Sequence, residues 1–158
     1  AMQAKKGVDT VKALVVTEQE EIAMGAAISA KLREKYGVVQ NQAVHKYVAL
    51  TGRVLADASA RPKLPWTFVV LDTDGVNAFA APGGYIHITR GALAIIRNES
   101  ELAGVLAHEI IHVTEKHTLD AIKKSKGAET AISATTRSAL LEQAAQIGYE
   151  SVLENSFD

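Results

Sequence analysis

His108, Glu109 and His112 are the residues of this chain whose types and spacing most plainly permit chemistry. They form a His-Glu-x-x-His run, and residues four apart on an α-helix lie one turn apart on one face. Two imidazoles so placed can share a zinc ion, and the Glu beside the first can take a proton from water held there. By chance the pattern arises on the order of once in a hundred chains of this length, so the surrounding sequence has to support it. Asn98 is a helix-capping residue, and Glu101 follows it three positions later, the signature of a capping box. Leu102, Val105, Leu106, Ile110 and Val113 recur at three- and four-residue steps, and neither Pro nor Gly interrupts 105–117. The pattern predicts one helix over residues 99–118 with the motif in its body. The competing reading is two core-facing histidines beside a solvated Glu.

Other polar residues receive plainer readings. On a continuous helix at roughly 100° per residue, His117 turns to the face opposite His108, so it is expected to pack or hydrogen-bond at the helix end. Glu115 reads as solvated, with a contact behind the ligands as its alternative. His45, next to Lys46, reads as a surface residue, and His87 as a residue on a strand surface. Asp72-Thr73-Asp74-Gly75 lacks the third acidic position and distal Glu of a calcium loop and reads as a turn.

The elements around the motif can be placed from pattern. Residues 1–16 read as a loose arm. Thr17 with Glu20 is a second capping-box signature, opening a helix over 18–36 that Gly37 ends. A further helix is expected over 41–59, with Val44, Tyr47, Val48, Leu50, Val54 and Leu55 on its apolar stripe. After Pro62 and Pro65 the period changes, predicting short strands over 66–71, 76–80 and 85–89. A short helical segment over 91–97 leads into the motif helix. One or two alanine-rich helices follow over 119–150, with Gly127 a break point and Ile132 among the core positions. The expected class is α+β: mostly helical, with a small three-stranded antiparallel sheet beside the motif helix. An edge strand of that sheet can pair with an extended peptide and lay its carbonyl over the metal. The segment 76–88 is the expected edge, with Asn77, Ala78, Phe79, Ala80, Gly83 and Gly84 as its substrate-binding residues.

The run Asn77-Ala78-Phe79-Ala80-Ala81-Pro82-Gly83-Gly84-Tyr85-Ile86-His87-Ile88-Thr89-Arg90-Gly91-Ala92-Leu93 resembles the HtpX-like zinc metallopeptidases. So does Asn98-Glu99-Ser100-Glu101-Leu102-Ala103-Gly104-Val105-Leu106-Ala107-His108-Glu109-Ile110-Ile111-His112-Val113, closing with His117. That family also includes the CAAX prenyl proteases, the mitochondrial Oma-type protease and the bacterial periplasmic BepA-like proteases. The resemblance is strong over residues 66–118 and weaker over 18–59. It implies a zincin-like domain with His108 and His112 as zinc ligands and Glu109 as general base. It further implies a downstream Glu, in a Glu-x-x-Ala-Asp pattern, as third ligand. Two features depart from the family. Ile111 stands where a small residue is common, on the face away from the zinc pair. No Glu-x-x-Ala-Asp run occurs, and Glu154-Asn155-Ser156-Phe157-Asp158 is the nearest spacing. Glu154 is therefore the candidate third ligand within the chain, and the alternative expectation is that the ligand lies just past Asp158. Glu129, Glu142 and Glu150 are weaker candidates.

Bulk properties fit this reading. The chain has 158 residues, 47% apolar and 22% charged, with a formal net charge of −1. That suffices for one domain, expected over 17–158, and offers no basic surplus for nucleic acid or an anionic membrane. With no cysteine, disulfides and thiolate metal sites are excluded. No apolar run is long enough to span a bilayer, and the start lacks a signal pattern. Ala1-Met2 reads as an appended residue before a retained Met, which predicts that a natural leader or anchor has been removed. The expected function is a zinc-dependent endopeptidase of the bacterial periplasm or envelope, cleaving unfolded or misassembled proteins. Its alternative is a non-catalytic module that holds peptides at the 76–88 edge.

Overall fold

The computed structural model describes residues 15–125 and 136–156. Readings placed on residues 1–14, on Gly127, Glu129 and Ile132, and on Phe157 and Asp158 lie outside the described residues. Helix α1 spans Glu18–Tyr36 and opens with the reciprocal cap: Thr17 Oγ1 accepts the Glu20 N–H at 3.1 Å, and Glu20 Oε1 accepts the Thr17 N–H at 3.0 Å. Helix α2, Gln42–Asp57, starts at Asn41, whose side chain accepts the Val44 N–H. Strands β1 (Thr67–Leu71), β2 (Ala78–Ala81) and β3 (Tyr85–Thr89) follow. Then come α3 (Arg90–Ile95), α4 (Glu99–Thr114), α5 (His117–Lys124) and α6 (Arg137–Glu154). No described helix is long and apolar enough to cross a membrane.

The architecture is α+β, but the sheet is mixed where an antiparallel one was expected. Its order is β1-β3-β2; β3 runs parallel to β1 and antiparallel to β2. Pairing of sequential strands, the usual arrangement, would have made the sheet antiparallel. Here β3 returns between its predecessors, and its C-terminal end clamps the crossing. The Gly91 N–H donates to Thr73 O at 3.0 Å, Thr89 Oγ1 donates to Gly75 O at 2.5 Å, and Arg90 binds Asp72 and Asp74. The acidic turn thus serves a guanidinium.

Helices cover both faces of the sheet. Strand residues alternate between the two sides. Val69, Leu71, Phe79 and Ala81 join Met24, Ile28 and Leu32 of α1 with residues of α5 and α6. Phe68, Val70, Ala80, Ile86 and Ile88 join Val48 and Ala56 of α2 with Leu102, Leu106, Ile110 and Val113 of α4. No face of β3 is left for water, so His87 is fully buried at 0% exposure, against its surface reading. Its Nδ1 donates to Phe79 O at 3.2 Å, which leaves Nε2 to accept from Ser29 Oγ at 2.8 Å.

His45 also departs from its surface reading. It is half-buried, and its Nε2 accepts the Val70 N–H at 3.1 Å. Val39 donates to Val70 O at 3.0 Å, so the outer edge of β1 is closed. β2 forms the other margin of the sheet, with its four residues buried. Under the β2–β3 turn, α1 comes so close that a Cβ on Gly25 would sit 1.6 Å from Pro82 O. Gly83 and Gly84 hold that turn at φ 84° and 100°, where Gly is favoured.

Candidate metal centre

Helix α4 begins as the sequence indicates. Asn98 Oδ1 accepts the Glu101 N–H at 3.0 Å. Glu101 does not close the box on Asn98; it accepts the Arg97 N–H at 2.7 Å and the Arg97 guanidinium at 2.9 Å. The buried side of α4 is Leu102, Leu106, Glu109, Ile110 and Val113. Glu109 therefore occupies a place in the apolar stripe, at 2% exposure. The steps 102, 106, 109 and 113 were a signal that this carboxyl faces inward, which the reading of a solvated Glu overlooks. Ile111 is exposed, at 53%.

The helix does not run on to 118. It stops at Thr114, Lys116 takes a left-handed conformation (φ 55°, ψ 39°), and α5 restarts at His117. The geometry that separated His117 from the motif histidines held only for an unbroken helix. The turn swings His117 back, and its Nδ1 lies 2.7 Å from His112 Nδ1. Nothing in the local sequence, neither Gly nor Pro, announces this break.

His108 and His112 meet edge-on with Nε2 atoms 3.2 Å apart. Two ligands at 2.0–2.1 Å from a tetrahedral zinc stand about 3.3 Å apart, so the two Nε2 atoms fit one ion. Candidate ligand atoms of His108, Glu109 and His112 lie within 4.8 Å of one another. Desolvation, with His108 and His117 alongside, holds the His112 pKa below its ordinary value and favours the neutral ring a metal requires. Glu109 Oε1 is buried with no hydrogen-bond partner. Desolvation raises the Glu109 carboxyl from 4.5 to about 7. A buried acid lacking a partner beside two convergent imidazoles fits a cation and its water, so the donor set suits zinc.

A cavity of about 330 Å³ opens on this cluster, lined by Ala80, Glu109, His112, His117, Val152 and Asn155 among others. Of the expected substrate-binding residues, Ala80 reaches it. Asn77 stands at the start of β2, its Nδ2 donating to Ser156 Oγ at 3.0 Å. Ala78 and Phe79 are buried, the Phe79 ring stacking on Tyr36. Gly83 and Gly84 lie in the buried turn, against Ile22 and Trp66. Glu154 is exposed at the last turn of α6 and is absent from the cavity lining, whereas Ser151, Val152 and Asn155 of that helix end do line it. Glu115, Glu142 and Glu150 are exposed.

Comparison with known proteins agrees with the arrangement. Residues 42–154 match the model of peptidase family M48. The chain is 32% identical over 139 residues to a putative beta-barrel assembly-enhancing protease of Vibrio cholerae, covering 87% of the chain and 29% of that relative. It is 32% identical over 104 residues to the beta-barrel assembly-enhancing protease of Escherichia coli K12, covering 66% of the chain and 21% of the relative. It is 33% identical over 76 residues to the mitochondrial metalloendopeptidase OMA1 of Schizosaccharomyces pombe, covering 48% of the chain and 23% of the relative. The chain thus spans under a third of the length of these relatives. The sequence resemblance stands: with the family match covering most of the chain and both motif histidines within it, this chain belongs to peptidase family M48.

Proposed function

We propose that this chain carries the catalytic unit of a zinc-dependent endopeptidase acting on unfolded or misassembled envelope proteins in the bacterial periplasm. The observation that carries the reading is the buried, unpartnered Glu109 carboxyl beside the two Nε2 atoms 3.2 Å apart. His108 and His112 would hold the ion. Zinc there would supply Lewis-acid chemistry, polarising the scissile carbonyl and making water easier to deprotonate. Glu109 takes the proton from the attacking water and returns it to the leaving amine. Its raised pKa suits both halves of that task near neutral pH.

The peptide is positioned by β2. The Thr89 N–H donates to Asn77 O, which marks the 77/89 pair as hydrogen-bonded. Antiparallel ladders alternate, so Phe79 and Ala81 face β3, and Ala80 turns its N–H and C=O to the outer edge. An extended substrate can add there as a strand, its carbonyl beside Glu109. The names of the bacterial relatives, which refer to assembly of β-barrels, support an envelope substrate.

The test uses an unfolded β-barrel polypeptide as substrate and Glu109→Gln as variant. The expected result is zinc binding by both proteins and cleavage lowered at least about 100-fold in the variant. Equal cleavage by the variant would remove Glu109 from its role. Peptide binding without cleavage by either protein, zinc present, would favour the holding module.

A further inference from the structure

We propose that His117 is a positioning residue: its Nδ1 accepts the Nδ1–H of His112 and so aims the unprotonated Nε2 of His112 at the metal. This rests on the reading of His108 and His112 as ligands. At 2.7 Å between the two Nδ1 atoms, one nitrogen must carry a proton and the other must not. His112 Nε2 faces His108 Nε2 at 3.2 Å, on the metal side. A neutral imidazole has one bare nitrogen, and ligation requires that it be the one facing the ion. Were His117 the donor, His112 would carry its proton on Nε2 and could not bind through that atom. Donation from His112 is therefore the arrangement compatible with ligation, with the His117 proton on its own Nε2. A partner at the far nitrogen of a ligating His fixes both tautomer and ring orientation.

The backbone shows how the ring reaches its partner. Lys116 is the one non-glycine residue with positive φ among the described residues. This conformation is unfavourable for Lys, and its effect is to end α4 and deliver His117 to His112. The same turn docks α5, whose Leu119 and Ile122 enter the core, while leaving the His117 ring at the surface against His112. The rings meet at 4.8 Å between centroids and 74° between planes, an edge contact that suits a nitrogen-to-nitrogen hydrogen bond.

The test compares His117→Asn and His117→Leu with the wild type in the whole chain. The Asn side-chain oxygen can take the place of Nδ1 and accept; Leu cannot. Being exposed, the position tolerates both changes. In metal-free protein, nitrogen NMR of the imidazoles should show His112 protonated on Nδ1 in wild type and the Asn variant, and on Nε2 in the Leu variant. Zinc affinity, measured by competition with a chromogenic chelator, should fall roughly 10–100-fold in the Leu variant and stay close to wild type in the Asn variant. Wild-type affinity in the Leu variant would overturn the proposal. Equal losses in both variants would overturn it too, by making His117 a ligand itself. If the wild type binds no zinc, the metal reading fails, and the tautomer comparison alone then decides whether His117 orders His112.

Discussion

A carboxyl group set into an apolar stripe destabilises the fold that buries it. Glu109 makes that cost measurable through its pKa, raised from 4.5 to about 7 by desolvation. The folded state keeps its proton to higher pH than the unfolded state. Metal-free protein should therefore lose stability as pH rises from 4.5 to 7 and stay at the lower level above that. The shift corresponds to a cost on the order of 3 kcal/mol. His87 works in the opposite sense. Desolvation lowers it from 6.5 to about 4, against the hydrogen bond to Phe79 O, with Arg33 adding to the lowering. Its contribution is present above pH 6.5 and is lost as pH falls toward 4, by a similar amount. The two slopes oppose each other between pH 4.5 and 6.5. Urea unfolding with chelator should thus find Glu109→Gln more stable than wild type at pH 8 and more acid-sensitive below pH 6.5. His87→Gln should show the reverse slope, stability falling as pH rises. Parallel profiles for wild type and both variants would refute the assignment. The sequence identifies Glu109 by its motif, and its stripe position says that it is buried. His87 gives no such sign, because its burial depends on the second layer of helices reaching β3.

Elements whose ends are set by neighbouring residues were legible in the chain. Both Thr17 and Asn98 cap the helices that the sequence assigns to them. Elements set by distant partners were not: the break at Lys116 and the insertion of β3 between β1 and β2 have no local marker. Gly52 illustrates the difference. Inside α2 it reads as a weakness of about 1 kcal/mol relative to Ala. In the fold, a Cβ at this position would lie 2.2 Å from the Phe68 ring, so the missing side chain lets α2 sit on β1. Gly52→Ala should lower stability by about 1–3 kcal/mol despite its better helix propensity, as overpacking does. Adding Phe68→Leu should return part of that loss, because the ring is what the new methyl meets. A stabilised Gly52→Ala variant in thermal melts would mean that α2 shifts freely over the strand.

At the scale of the whole molecule, an ion pair on a buried carboxylate links segments that are remote in sequence. Arg61 binds Glu21 through two bonds, at 2.8 Å and 2.7 Å. Glu21, 2% exposed, also accepts the Gly83 N–H at 3.3 Å, and Arg61 donates to Val113 O at 3.4 Å. Helix α1, the turn after β2, the loop before β1 and the last turn of the motif helix thus meet at one carboxylate and one guanidinium. Neither residue stands out in the sequence, since the pair is separated by forty positions and belongs to no motif. Removing one partner strands a buried charge, whereas removing both leaves only a packing change. Arg61→Met should therefore cost about 3–5 kcal/mol, and the double variant Arg61→Met with Glu21→Met should be more stable than that single variant. Chemical unfolding of the four proteins of this cycle measures the coupling directly. Costs that simply add would show that the pair does not join these segments, and the alignment of β2 with the motif helix would then rest on the apolar layers alone.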